Sequence, residues 1–156
     1  MTGILPQLRQ PLKAAPTALF HAAADAQPGI LVVDDDPMLR TLLTVTLQKS
    51  GFTVWPTAGG AEAIQVYQRQ RSRIGVVLLD VRMPGLDGPH TLAELQRLNP
   101  AVACCFMSGH TGGYTVAELL GRGALHFFDK PFRMDEVLRV LSSLAEQHGR
   151  TQASSA

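Results

Sequence analysis

The chain has 156 residues, 46% of them apolar and 17% charged, with 14 basic against 13 acidic residues and a net charge of +1. That length suits one ordinary domain with a core of its own, and the composition suits a soluble globular protein rather than a disordered one. The balanced charge, with no cluster of Lys and Arg, argues against a dedicated nucleic-acid surface, and no apolar run approaches the roughly 20 residues that span a bilayer.

Residues 1–28 carry Pro6, Pro11, Pro16 and Pro28 among many Ala and Gln, without a sustained apolar period. They read as a flexible N-terminal extension. Arg9 and Lys13 precede the apolar stretch Ala14–Phe20, but that stretch is short, contains Pro16 and ends at His21, so it is not read as an export leader. A strand-sized run, Ile30–Val33, then ends in Asp34-Asp35-Asp36-Pro37. Pro37 suits the first turn of a helix and Asp36 its N-cap. This first helix carries Met38, Leu42, Leu43, Val45, Thr46 and Leu47 and stops at Gly51. A short strand, Phe52–Trp55, and a helix from about Gly60 to Arg71 follow, the latter with Ala63, Ile64, Val66 and Tyr67 on its inner side.

The unbroken branched run Val76–Leu79 reads as a strand covered on both faces, and it ends at Asp80. A loop, Val81–Gly88, leads to a helix holding Leu92, Leu95 and Leu98 and closed by Asn99-Pro100. Val102–Met107 is the fourth strand, Tyr114–Arg122 a weaker helix, Leu125–Phe128 the fifth strand. A last amphipathic helix carries Met134, Val137, Leu138 and Leu141, and residues 148–156 read as a flexible tail. Cys104 and Cys105 are the two cysteines; as strand neighbours they point to opposite faces, and they read as buried free thiols suited to a reducing compartment.

Strands alternating with helices predict an α/β fold, a doubly wound five-stranded parallel sheet between two helical layers. Right-handed crossovers place all strand C-termini on one edge, where such sheets carry their chemistry. On that edge fall Asp34 and Asp35 from the first strand, Asp80 from the third, Ser108 from the fourth and Lys130 after the fifth. Crowded carboxylates repel unless a cation compensates them, and Mg²⁺ accepts one or two carboxylates plus phosphate oxygens. Asp80 is then a candidate nucleophile. Lys130 and the Ser108 hydroxyl are placed to meet phosphoryl oxygens, and Gly109 leaves room beside them.

These residues resemble the receiver domains of two-component response regulators over about Gly29 to Gln147, taken as a domain of residues 29–147. The matching motifs are Ile-Leu-Val-Val-Asp-Asp-Asp-Pro at 30–37, Val-Leu-Leu-Asp-Val-Arg-Met-Pro-Gly-Leu-Asp-Gly at 77–88, Phe-Met-Ser-Gly at 106–109 and Phe-Phe-Asp-Lys-Pro-Phe at 127–132. The resemblance implies a flavodoxin-like, three-layer α/β/α fold with strand order 2-1-3-4-5, and a Lys-Pro peptide bond that is typically cis. It implies that Asp80 is phosphorylated by a sensor histidine kinase or histidine phosphotransfer protein, with Mg²⁺ held by Asp35, by Asp34 through water, by Asp80 and by the Arg82 carbonyl. Ser108 and Phe127 become the switch pair, and Arg82, Gly109 and His110 tune the phosphoaspartate lifetime.

Phe127 stands where many members carry Tyr, so no ring hydroxyl takes part in switching. The face formed by helix four, strand five and helix five is expected to exchange partners or self-associate on phosphorylation. The chain reads as a stand-alone cytoplasmic receiver acting through a separate effector, not as an enzyme beyond its own phosphorylation and dephosphorylation. The extension is either a tether or a misplaced start.

Two rivals use the same residues. A hydrolase of the haloacid-dehalogenase type needs a second Asp two residues after its nucleophile; Asp34 and Asp36 have that spacing, but Pro37 follows and no cap is evident. A receiver-shaped interaction module that is never phosphorylated usually lacks one of the acidic pair, the acceptor or the Lys, all of which are present here.

Overall fold

The computed structural model describes residues 27–153; the extension up to residue 26, and with it the weighed leader segment, lies outside the described residues. The chain builds β1 (Gly29–Val33), α1 (Pro37–Lys49), β2 (Val54–Thr57), α2 (Gly60–Gln70), β3 (Ile74–Asp80), α3 (Gly88–Leu98), β4 (Cys104–Ser108), α4 (Val116–Gly121), β5 (His126–Asp129) and α5 (Met134–Ala153). Five parallel strands form one sheet in the order β2-β1-β3-β4-β5, the flavodoxin-like arrangement that the resemblance implies.

The period-2 alternation of the strands divides the core in two. Leu31, Val33, Val77, Leu79, Cys104 and Phe106 face α2, α3 and α4, packing on Ala63, Tyr67, Leu92, Leu95 and Leu119. Ile30, Val32, Val76, Leu78, Cys105, Met107 and Phe128 face α1 and α5, against Leu43, Leu47, Val137, Leu141 and Ala145. The adjacent cysteines thus sit on opposite faces, both free and buried, and burial pushes the Cys105 thiol up to about 12. Every residue of β1, β3 and β4 is buried. At roughly 1.5–3 kcal/mol per large apolar side chain, these central strands hold a large share of the hydrophobic stabilisation. Pro56 is tolerated because β2 is an edge strand.

Local signals set the helix ends. Asp36 caps α1, accepting from Met38 N at 2.9 Å. Gly51, at φ 93°, takes the left-handed position after the C-cap Ser50, which other residues adopt at a cost. Thr115 and Glu118 form a reciprocal capping box on α4.

Three features that the sequence reading did not resolve have physical causes. On α1 only Leu43 and Leu47 are buried, while Met38, Leu42 and Val45 are 82%, 52% and 43% exposed; a helix lying on a sheet buries one stripe, and these three lie outside it. Leu125, expected to open β5, is 55% exposed and precedes the strand. Residues 148–153, expected within a flexible tail, continue α5 to Ala153. One Gly, Gly149, costs a helix only about 1 kcal/mol, and helix formers flank it.

Among the described residues no helix is long and apolar enough to cross a membrane.

Candidate functional site

The strand order reverses between β1 and β3, so the C-terminal ends of these two central strands open a crevice there. β1 runs into Asp34 and Asp35, and β3 ends in Asp80. Ligand atoms of all three carboxylates lie within 4.8 Å of one another. Asp34 is fully buried and Asp80 5% exposed, whereas Asp35 faces solvent.

Lys130, just after β5, reaches over the same edge. Its Nζ donates to Asp34 Oδ2 at 2.9 Å and lies 3.4 Å from Asp80 Oδ1. The Lys130–Pro131 peptide bond is cis. Asp34 is further held by the Asp36 amide, which donates to its Oδ1 at 2.8 Å, and its carbonyl accepts from Arg40 Nη1 at 2.7 Å.

The charges do not balance: one ammonium group serves three carboxylates. Burial, reinforced by repulsion from Asp34, raises the Asp80 carboxyl from its ordinary 3.8 to about 6 despite the neighbouring Lys130. Burial opposes the Lys130 charge, but the Asp34 hydrogen bond and attraction from Asp80 raise its pKa above the ordinary value. Three crowded carboxylates with a single ammonium group beside them offer oxygen donors that fit a hard divalent cation such as Mg²⁺.

The sequence-derived residues come together unevenly. Asp34, Asp35, Asp80 and Lys130 share the notch. Ser108 is buried at the end of β4, but its hydroxyl donates to the His110 carbonyl at 2.8 Å and accepts from the His110 amide at 3.1 Å. It is thereby occupied by the β4–α4 loop rather than by Asp80. His110 and Arg82 are exposed, and Phe127 is half-buried against the α2–α4 core. A Cβ on Gly109 would meet Lys130 Cβ at 3.5 Å, an ordinary contact, so glycine is not sterically required there. Gly88 is different: a Cβ would collide with the Asp80 carbonyl. Only glycine lets α3 start against the end of β3, where the Gly88 amide donates to Val81 O at 2.8 Å.

Sequence reading missed Arg40, one turn into α1, and the pair Asp87–Tyr114. The Tyr114 hydroxyl donates to Asp87 Oδ2 at 3.0 Å, joining the loops that follow β3 and β4. An Asp before Gly-Pro signals an N-cap, which Asp87 is, but nothing local announces its partner 27 residues on.

A flavodoxin-like sheet whose switch-point edge carries a buried carboxylate, an acidic pair and a lysine defines a receiver-type module. The family model for the response regulator receiver domain matches residues 30–142. The chain belongs to that family.

Similar proteins include the transcriptional regulatory protein ZraR of Escherichia coli strain K12, 37% identical over 120 residues, covering 76% of this chain and 27% of ZraR. The sensor kinase CckA of Brucella abortus is 29% identical over 118 residues, covering 76% of this chain and 12% of CckA. The chain therefore spans about a quarter or less of these relatives' length.

Among solved structures, CheY of a CheX–CheY–BeF3–Mg complex from Borrelia burgdorferi is 29% identical with a TM-score of 0.69, over 74% of this chain and 87% of that one. TrrA of Thermotoga maritima, in complex with Mg(2+)-BeF, is 27% identical with a TM-score of 0.65, over 74% and 96%.

Proposed function

We propose that this chain is a phosphorylation switch that accepts a phosphoryl group on Asp80 from the phosphohistidine of a sensor histidine kinase or histidine phosphotransfer protein. The observation that carries this reading is the notch itself: a buried Asp80 with the Lys130 ammonium 3.4 Å away and two further carboxylates alongside. An Asp80 oxygen attacks phosphorus, the O–P bond forms as the N–P bond breaks, and the leaving imidazole keeps its electron pair and takes up a proton.

Asp34, Asp35, Asp80 and the Arg82 carbonyl would hold Mg²⁺. A bound Mg²⁺ supplies charge neutralisation to the phosphoryl oxygens and to the crowded carboxylates. Lys130 stabilises charge on the equatorial oxygens, and Ser108 leaves His110 to meet another of them. Phe127, lacking a ring hydroxyl, follows by packing alone. Arg82, which follows β3, and Gly109 and His110, which follow β4, set how readily water reaches the acyl phosphate. The protein is not an enzyme toward external substrates; it turns over only its own phosphoryl group. The receiver unit is taken as residues 29–147, working in the cytoplasm, where thiols such as Cys104 and Cys105 stay reduced.

Phosphorylation biases a pre-existing two-state equilibrium. The output surface is α4–β5–α5, where Val116, Leu120 and Leu125 are 41%, 40% and 55% exposed. It binds a downstream effector or a second phosphorylated copy. Relatives that include a sensor kinase and transcriptional regulators, and structures holding Mg with BeF, support this reading. The test is incubation with acetyl phosphate and Mg²⁺, borohydride trapping and peptide mass spectrometry. Modification confined to Asp80 supports the proposal; an unmodified chain favours an interaction module that is never phosphorylated.

A further inference from the structure

The segment that must move when Ser108 turns is tied down at both ends, and at its far end by a side chain the phosphoryl chemistry does not use. Its near end is Ser108 itself, whose hydroxyl makes both of its hydrogen bonds to the His110 backbone. Its far end is Tyr114, which immediately precedes Thr115, the N-cap of α4. The Tyr114 hydroxyl donates to Asp87 Oδ2 at 3.0 Å.

Asp87 is not free to follow. Its other oxygen accepts the His90 amide at 3.0 Å and contacts His90 Nδ1 at 2.6 Å, so the carboxylate is fixed to the first turn of α3. These hydrogen bonds outweigh its partial burial and hold its carboxyl below the ordinary carboxylate range. The Asp87–Gly88 step is itself pinned to the end of β3, because Gly88 has no room for a Cβ against the Asp80 carbonyl. Tyr114 is thus bonded to the rigid acceptor side of the site.

α4 has little else to hold it. It is six residues long and buries only Leu119. The Arg122 guanidinium lies 5.2 Å from the Tyr114 ring centroid, so the start and end of α4 are joined through that ring. The Arg122 carbonyl accepts from Gln96 Nε2 of α3 at 2.7 Å. With so few apolar contacts, a directional bond at each end of α4 decides where the element sits.

From this geometry we infer that Tyr114 is a positioning residue: its bond to Asp87 latches the β4–α4 segment in the arrangement in which Ser108 faces His110 and not Asp80. Drawing Ser108 toward Asp80 breaks two bonds to His110 at the near end of a short loop. Displacing that loop pulls the Tyr114 hydroxyl from a fixed acceptor. The latch therefore opposes activation, and its removal shifts the unliganded protein toward the activated arrangement. The inference deepens the reading of Asp80 as phosphoryl acceptor and rests on it.

Tyr114→Phe tests the latch, because it deletes the hydroxyl while keeping the ring on Arg122. A hydrogen bond to a charged acceptor at a partly exposed site translates into a shift of about tenfold in a two-state equilibrium. Beryllofluoride with Mg²⁺ is titrated into wild type and variant by calorimetry, and backbone amide spectra are recorded before ligand is added. The variant is expected to bind about tenfold tighter. Its unliganded amides over residues 111–128 should lie part-way along the line joining unliganded to liganded wild type. A mere loss of packing would weaken binding and move those amides off the line. Wild type that binds beryllofluoride while the variant binds no tighter overturns the latch alone. Wild type that takes up none overturns the phosphoryl-site reading and the latch with it.

Discussion

The ends of β1 and β3 and the segment around α4 lie along one edge of the same sheet, yet they are held by different forces. Around Asp34 and Asp80 every strand residue is buried on both faces, so the acidic notch stands on the stiffest part of the molecule. α4 buries Leu119 and otherwise depends on Tyr114–Asp87 and Gln96–Arg122. A charge change needs a rigid platform so that its energy is not lost in local relaxation. A readout needs an element whose two positions differ by little. Under the proposed function the chain supplies both, by placing the central strands and the least-packed helix side by side.

Core truncation separates the two regions most widely. Leu79→Ala, at a fully buried site of β3, is expected to cost about 4 kcal/mol in urea unfolding. Leu119→Ala, equally buried but on α4, should cost about 2 kcal/mol, with accelerated amide exchange confined to α4 and β5. Equal global losses would mean that α4 is as integral to the core as β3.

Removing the acceptor charge should have the next largest effect, with the opposite sign. The folded protein binds a proton at Asp80 more tightly than the unfolded chain, with a pKa near 6 against 3.8. Stability from this group is therefore complete below about pH 4 and falls as pH rises to about 6. In EDTA above pH 7, Asp80→Asn is expected to stabilise the fold by about 2 kcal/mol, a gain that vanishes near pH 4. A gain independent of pH would place its origin elsewhere. Gly109→Ala should have the smallest effect, within about 0.5 kcal/mol, since a Cβ there finds ordinary contacts. A large loss in thermal unfolding would show a constraint that the Lys130 neighbourhood does not reveal.

How much of this was legible follows from the kind of signal each feature leaves. Apolar runs ending in Asp34, Asp80 and Ser108 announce both the parallel sheet and its polar edge, because strand ends need no knowledge of tertiary contacts. Lys130 was legible for the same reason. The outward apolar residues Met38, Leu42 and Val45 were not: composition marks a helix as apolar without saying which stripe the sheet covers. The continuation of α5 past Gly149 was hidden by a glycine that a long amphipathic helix outweighs. Arg40 on the Asp34 carbonyl and Tyr114 on Asp87 leave no periodic trace, since each bond joins separate elements through one long side chain. The missed features are bonds between elements, and those that were read are the charged groups that meet in the notch.

The most direct check on the central claim is the fluorine spectrum of the protein with beryllofluoride, recorded with and without Mg²⁺. Bound fluorine resonances that appear only with Mg²⁺, and are absent in Asp80→Asn, are the expected result. No bound resonance in the wild type, or one that persists without Asp80, would contradict the claim that the notch is a metal-assisted phosphoryl site.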